Sequence, residues 1–255
     1  MPKRAMEVVV LEWDPGPPPA FATHFENHPD YNQWKTRFRM AWGPIFYRGR
    51  LDGTAKVLVI GEDPTAVEHV ARRILVGSAG QRVQGLLKKL GLTQSYVMVN
   101  TFLYGLKGQI DPRAKQISSS PSIKNWRNDL LDMLATPRIE AVLAFGAGAH
   151  QVVGVWPHRN DFFVAKLTHP SARDHKALLQ NWNQWFPQLR QRVTADAGGS
   201  PSNKAYGTHF KSGDLAPIPS RDLAFGAPSW LGDGDTASRV KGKEQILWKP
   251  TASEG

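Results

Sequence analysis

Short apolar runs alternate with longer amphipathic stretches between residues 55 and 195. Four runs are apolar on both faces, as buried parallel strands are, and they lie at Val57–Ile60, Tyr96–Phe102, Ala141–Phe145 and Phe162–Thr168. The intervening stretches repeat apolar residues at helical spacing, at Ser78–Leu90, Ser122–Leu134, Ala147–Trp156 and Leu178–Val193. This order predicts an α/β fold, a three-layer α/β/α sandwich around a four-stranded parallel sheet.

The segments that flank this core differ in composition. Residues 1–54 contain the stiff connector Pro15–Pro19, a candidate edge strand at Val8–Leu11 and a candidate helix at Tyr31–Phe38. Residues 197–255 hold nine Gly and five Pro and show little apolar periodicity. We predict one domain over 1–196 and an irregular tail over 197–255, draped or partly disordered. Its apolar anchors, which favour draping, are Phe210, Leu223, Phe225, Trp230 and Trp248.

The net charge of +10 and the pI of about 9.9 favour an anionic partner, with nucleic acid first and a membrane surface second. The tail holds seven Lys/Arg against six Asp/Glu, so the excess belongs to residues 1–196. A solvated basic surface without a partner is the alternative.

The chain has no cysteine. This excludes disulfides, thiolate nucleophiles, and zinc or iron–sulfur sites with Cys ligands. It lacks an N-terminal apolar signal segment and any apolar stretch long enough to span a bilayer, so we expect a cytoplasmic protein that does not enter the membrane. The histidines have no metal-ligand spacing, and GxxxxGK[ST] and GxSxG motifs are absent, so we predict no metal and no cofactor.

Two ionisable side chains directly follow predicted strands. Asp63 lies in Gly61–Pro64 after the first strand, and His169 lies in His169–Ser171 after the fourth. Ligands of open α/β sheets bind at this carboxyl edge, so the two residues form a candidate active site. A turn aspartate that caps the next helix, or a histidine bonded to a nearby carbonyl, is the structural alternative.

Asn100 lies near the end of the second strand, and its amide offers one donor and one acceptor group to a base edge. The structural alternative is an Asn that only begins a loop.

Five segments in order resemble the uracil-DNA glycosylase superfamily. They are GEDP at 61–64, LVGSAGQ at 75–81, YVMVN at 96–100, AVLAFGA at 141–147 and THPSA at 168–172. The resemblance covers residues 55–195 and implies a monofunctional DNA repair enzyme, which we expect to be monomeric. Its substrate would be uracil in single- or double-stranded DNA. It implies catalysis by Asp63 and His169, and base contacts from Glu62, Leu75, Asn100 and Phe102. It implies DNA contacts from Gly77, Gln81, Ser171, Ala172 and Arg173.

The chain also departs from the superfamily's branches. Its 75–81 segment is similar to the iron–sulfur branch, but without cysteine it cannot ligate that cluster. Asp63 is typical of the cluster-free uracil enzymes, yet Thr65 stands where those enzymes have a thymine-excluding Tyr. Leu75 stands where the iron–sulfur branch has a base-stacking aromatic residue, so Phe102 or Tyr104 is the candidate ring.

Three alternatives stay open from the sequence. The first is a non-catalytic DNA-binding relative. The second is a glycosylase for hypoxanthine, xanthine or mismatched thymine. The third is an enzyme acting on small nucleotides or glycosides.

Overall fold

A computed structural model of the protein describes residues 13–108 and 112–224, without the side chains of residues 112 and 113. The candidate strand Val8–Leu11 and the anchors Phe225, Trp230 and Trp248 lie outside the described residues.

The sheet has five strands in the order β1-β3-β2-β4-β5. Strands β2 to β5 are parallel, which confirms the predicted four-stranded parallel sheet, and β1 pairs antiparallel with β3 at one edge. Strand β1 was not predicted, because it is only three residues long and contains a buried arginine. The strands are β1 (Tyr47–Gly49), β2 (Val57–Gly61), β3 (Tyr96–Asn100), β4 (Ala141–Phe145) and β5 (Val164–Leu167).

All four predicted helices are present, with ends that differ from the prediction by at most three residues. The candidate helix Tyr31–Phe38 is wrong, because only a short 3-10 turn forms there, at Asn32–Trp34. Three further helices were not predicted. The seven α-helices within the described residues are α1 (Pro19–Glu26), α2 (Ala66–Ala71), α3 (Ser78–Lys89), α4 (Pro112–Ser118), α5 (Pro121–Leu134), α6 (Gly146–Val155) and α7 (His175–Arg192).

A hydrophobic core lies on each face of the sheet, because successive strand residues point to opposite faces. Leu58 and Ile60 of β2 face a core that α1, α5 and α6 cover, and Val57 and Val59 face a core that α3 and α7 cover. All four side chains are fully buried. The polar groups that follow the strands are therefore held at the rim of a rigid three-layer body.

Residues 197–224, which we call the C-terminal strap, run across α3 towards β1. Just before the strap, Asp196 accepts hydrogen bonds from three successive amides at residues 93–95. Further along, Asp214 forms an ion pair with Lys89 at 3.0 Å. The strap backbone at Asp214 packs so closely on Gly85 of α3 that a Cβ atom there would collide with it. The strap is thus fitted to the domain surface.

The strap ends in a buried polar cluster. The carboxylate of Asp222 lies 3.5 Å from the Arg48 guanidinium and accepts a hydrogen bond from the Tyr96 hydroxyl at 2.8 Å. Arg48 and Asp222 are at most 1% exposed. Burial raises the pKa of Asp222, and Arg48 opposes this rise. The cluster joins the strap to β1 and β3.

Replacement of Asp222 should therefore destabilise the fold. We expect Asp222→Ala to lower the free energy of unfolding by about 3–5 kcal/mol, because it leaves the Arg48 charge buried without a partner. Urea denaturation measures the change. Asp161→Ala is the control: its exposed ion pair with His158 should contribute less than about 1 kcal/mol. Equal stability of the two variants would contradict the assignment.

Candidate active site

The first candidate loop leaves β2 and is bonded to the end of β3. The carbonyl of Gly61 accepts hydrogen bonds from the amide and the hydroxyl of Thr101, both at 2.9 Å. The carbonyl of Glu62 accepts the Phe102 amide at 2.9 Å. The backbone before Asp63 is therefore fixed against the strand that ends in Asn100.

The Asp63 carboxylate is mostly buried and accepts one hydrogen bond, from the Leu106 amide at 2.9 Å. Burial raises the pKa of Asp63 to about 7, although the Leu106 hydrogen bond and the Arg39 charge oppose the rise. Asp63 does not cap the next helix, because Thr65 is the N-cap residue of α2. Near neutral pH Asp63 is thus a carboxylate that readily accepts a proton.

Glu62 turns its side chain away from Asp63, towards α6. Its Oε1 accepts the Gly148 amide at 2.9 Å, in the first turn of that helix. Burial raises the pKa of Glu62, and the Gly148 hydrogen bond opposes the rise. An acidic group at a helix N-terminus is favourable. The Glu62 side chain thus joins the first loop to α6, and the contact of the base with backbone amides near Glu62 stays a prediction.

Hydrogen bonds of Glu68, a residue not predicted from the sequence, also hold the first loop in place. Its Oε2 accepts the amide and the hydroxyl of Thr65, and its Oε1 accepts the amides of Val76 and Gly77, both at 3.2 Å. One buried carboxylate therefore links the loop after β2 to the start of α3. The spacing Thr65-x-x-Glu68 is a capping-box signature that could have predicted half of this arrangement.

Asn100 and Leu75 meet at Gly61. Asn100 ends β3 opposite Gly61, and its Oδ1 lies so near that a Cβ atom on Gly61 would collide with it. Leu75 lies beside the same point, buried, with a left-handed backbone (φ 51°) that is costly for a leucine. The Asn100 amide makes no hydrogen bond within the described part of the chain. No other described residue therefore uses the donor or the acceptor of this buried amide.

His169 has a defined tautomer. Its Nδ1 accepts the Ser171 amide at 3.2 Å and lies 2.7 Å from the Ser171 hydroxyl oxygen, so the ring proton belongs on Nε2. Burial lowers the pKa of His169 to about 4, which keeps the ring neutral from pH 5 upwards. The ring is not bonded to a carbonyl, as the structural alternative would require. A neutral imidazole that donates from Nε2 suits a developing anion.

The backbone around His169 is fixed at each step. Four consecutive carbonyls accept a hydrogen bond, and the donors come from α6, α7, the loop itself and α3. The pairs are Leu167 with His150 at 3.0 Å, Thr168 with Trp182 at 2.9 Å, His169 with the Ala172 amide at 3.0 Å, and Pro170 with Arg82. None of these donors was predicted from the sequence.

The sheet order places the candidate residues along one edge. Asn100 and Asp63 follow the adjacent strands β3 and β2, and His169 follows β5, two strands beyond β2. Adjacent strands lie about 4.8 Å apart, so roughly 14 Å separates the ends of β3 and β5, at which Asn100 and His169 lie, and β2 ends between them. This spacing leaves room for a planar heterocycle between His169 and Asn100.

Other predicted residues lie at different places. Ser171 and Arg173 are exposed and Ala172 is half-buried, as a surface contact requires, whereas Gln81 is buried and Gly77 is bonded to Glu68. The candidate rings lie in the core. Phe102 is 1% exposed, with its ring 5.4 Å from Phe38, and Tyr104 packs on Tyr31. Stacking on a ligand by either ring does not fit this packing.

Nothing in the described part of the chain gathers three or more potential metal-ligating side chains. The full sequence has no cysteine thiolate for an iron–sulfur cluster, so the residues do not fit that group. Among residues 13–108 and 112–224, no helix has the length and apolarity needed to cross a membrane.

Comparison with known proteins gives one finding. The family model described as the uracil DNA glycosylase superfamily matches residues 48–194, which include β2 to β5 and both candidate loops. A search of curated proteins gives no match.

The raised pKa of Asp63 should appear in the stability of the protein. The folded-state pKa of about 7 lies above the ordinary 3.8, so the stabilising effect is fully present below pH 3.8 and is lost as the pH rises through 7. The unfolding free energy of Asp63→Asn minus that of the parent should therefore rise by about 2–3 kcal/mol from pH 5 to pH 8. Urea denaturation at both pH values measures this gain.

Asp52→Asn is the control for this measurement. Although burial opposes the change, hydrogen bonds from Thr54 lower the pKa of Asp52, so this carboxylate stays ionised at both pH values. Its difference from the parent should not vary between pH 5 and pH 8. A difference for Asp63→Asn that is equally constant would refute the raised pKa.

Proposed function

The chain belongs to the uracil DNA glycosylase superfamily, and we propose that it hydrolyses the N-glycosidic bond of uracil in DNA, leaving an abasic site. Membership supports a DNA glycosylase role in general. The observation that carries the assignment to uracil is that one sheet edge holds both a neutral His169 and an Asn100 amide that has no hydrogen-bond partner among the described residues. Together they match the polar edge of a pyrimidine dione, which presents carbonyl oxygens and one N–H.

The substrate base must leave the duplex before it can reach these groups. Extrusion costs a few kcal/mol, and contacts of Lys and Arg with phosphates offset that cost in a salt-dependent way. The net charge of +10 supports such binding. Arg173 is exposed beside the His169 loop and is our candidate to occupy the space that the extruded nucleotide leaves.

The proposed chemistry assigns one role to each group. His169 Nε2–H donates to uracil O2 as the bond between C1′ and N1 breaks and its electron pair passes to the base. The Asp63 carboxylate stabilises the cationic sugar and orients a water, whose oxygen bonds to C1′ and whose proton passes to Asp63. Asn100 accepts from N3–H and donates to O4. The uracil anion then takes a proton from solvent and Asp63 returns its proton to solvent, so the products are uracil and an abasic sugar.

Position 65 supports a second candidate activity. The Thr65 hydroxyl is bonded to Glu68 in the capping box, so it is committed to the start of α2. Position 65 has no aromatic ring that would exclude the 5-methyl group of thymine. Release of mismatched thymine is therefore the alternative activity. Parallel assays with uracil and with thymine opposite guanine distinguish the two activities.

The direct test is release of uracil from a single-uracil oligonucleotide, in single-stranded and duplex form. Alkali cleaves the resulting abasic sites, and a gel separates the fragments. We expect the parent protein to produce cleavable sites. His169→Ala and Asp63→Asn should each lower the single-turnover rate by about 10²-fold or more, because each removes a preorganised group that acts in the transition state.

His158→Ala is the matched control, since this exposed histidine lies in the loop before β5, away from the carboxyl edge. It should react at the parental rate. If His169→Ala and Asp63→Asn both released uracil at the parental rate, the assignment of these residues would be wrong.

The rate should depend on pH through Asp63. Because the carboxylate form acts, and the pKa of Asp63 is about 7, the single-turnover rate should fall about tenfold from pH 8 to pH 6. His169 stays neutral over this range and should not add a second transition. Asp63→Asn should be slow and insensitive to pH. A parental rate that does not change between pH 6 and pH 8 would contradict the role of Asp63.

A further inference from the structure

We infer that Arg82 is a positioning residue for His169. Phe210 of the C-terminal strap holds Arg82 in place, so the strap contributes to the active site. This inference rests on the proposed function, because it concerns the same catalytic histidine. The strap, residues 197–224, lies beyond residue 194, where the superfamily match ends.

Arg82 acts on the loop at the residue next to His169. It lies on α3, and its Nη1 donates a hydrogen bond to the carbonyl of Pro170. Pro170 stands between His169 and Ser171, and Ser171 fixes the imidazole Nδ1. A shift of the Pro170 peptide therefore moves both the ring and the group that sets its tautomer. Arg82 reaches this carbonyl from a rigid helix, which makes it a support for the loop.

Phe210 fixes the orientation of Arg82. The Arg82 guanidinium carbon lies 4.7 Å from the centre of the Phe210 ring, a cation–π geometry. The ring itself is enclosed by three aromatic or imidazole rings at 5.6–6.0 Å, from Trp182, His175 and Tyr206. Trp182 also donates to the Thr168 carbonyl, so the same cluster supports the loop at a second point.

The backbone of the strap is anchored close to Arg82. The Ala216 amide donates to the carbonyl of Gln81, the residue before Arg82, at 3.1 Å. The strap residue Asp214 packs on Gly85, one turn further along α3. These contacts bring Phe210 to a fixed place over the guanidinium. The strap is thus connected to His169 by a chain of contacts through Phe210, Arg82 and Pro170.

A direct contact of Arg82 with a DNA phosphate is the competing explanation, and it predicts different kinetics. A phosphate contact would change affinity and its salt dependence. A positioning role changes the rate of the bound complex, since a misplacement of about 1 Å can cost roughly 10²-fold. Single-turnover rates at saturating protein, measured together with the dissociation constant for uracil-containing duplex, separate the two.

The first variants test the hydrogen bond. Arg82→Met keeps the apolar stem of the side chain but lacks the guanidinium that packs on Phe210 and donates to Pro170. It should lower the saturated rate by about 10–100-fold, with a dissociation constant within about twofold of the parent. Arg82→Lys retains one donor and should recover part of the rate, which a role in packing alone would not explain.

The second set tests the strap. Phe210→Ala should lower the saturated rate by about 3–10-fold in the parent, and should have no further effect in the Arg82→Met background, because both residues act on the same carbonyl. Arg190→Ala is the control. It also removes an arginine that contacts the strap, at Asn203, but it lies near the other end of α7, about 22 Å from His175. Its rate should be parental.

The outcomes are distinct. Release of no uracil by the parent would refute the proposed function. With an active parent, Arg82→Met at the parental saturated rate would overturn this inference alone, as would weakened binding with an unchanged rate, or equal losses in Arg82→Met and Arg190→Ala. Additive effects of Phe210→Ala and Arg82→Met would exclude the strap from the path. Thermal unfolding of each variant establishes that the comparison is made between folded proteins.

Discussion

Every buried carbonyl needs a hydrogen-bond donor, and this requirement determines how the loops of the candidate active site are held. The backbone carbonyls of β2 and β5 accept hydrogen bonds from neighbouring strands only as far as the sheet extends. Where each chain leaves the sheet, its next carbonyls must find other donors. At the first loop Thr101 and Phe102 provide them, and at the second they come from α6, α7, α3 and the loop itself. The two loops that carry Asp63 and His169 are rigid because this requirement is met.

Burial acts in opposite directions on the two catalytic candidates. Loss of water disfavours whichever form carries a charge. It raises the pKa of the Asp63 acid and lowers the pKa of the His169 base, so the aspartate can accept a proton near neutral pH while the histidine stays uncharged. One physical cause therefore prepares a proton acceptor on one side of the site and a neutral donor on the other.

The sequence was sufficient for the central strands and for the residues that follow them, because buried parallel strands are apolar on both faces and end at recognisable turns. It was insufficient where partners are distant in the chain. Arg48 is tolerable in β1 only because Asp222, far along the chain, lies beside it. Phe102 was a candidate ring because Leu75 is not aromatic, but the direction of a side chain beyond the end of a strand depends on the loop, which turns this ring into the core. Three of the four donors of the His169 loop come from separate helices, and no local pattern identifies those three.

Thr65 has an evolutionary consequence. Its hydroxyl and amide donate hydrogen bonds to Glu68, which also accepts hydrogen bonds from the two amides just before α3. A large ring introduced at position 65 to narrow the choice of base would remove a helix cap worth about 1 kcal/mol and loosen that carboxylate. Selection for substrate range and selection for thermodynamic stability therefore act on the same side chain, and a lineage that changes one must first find a substitute for the other.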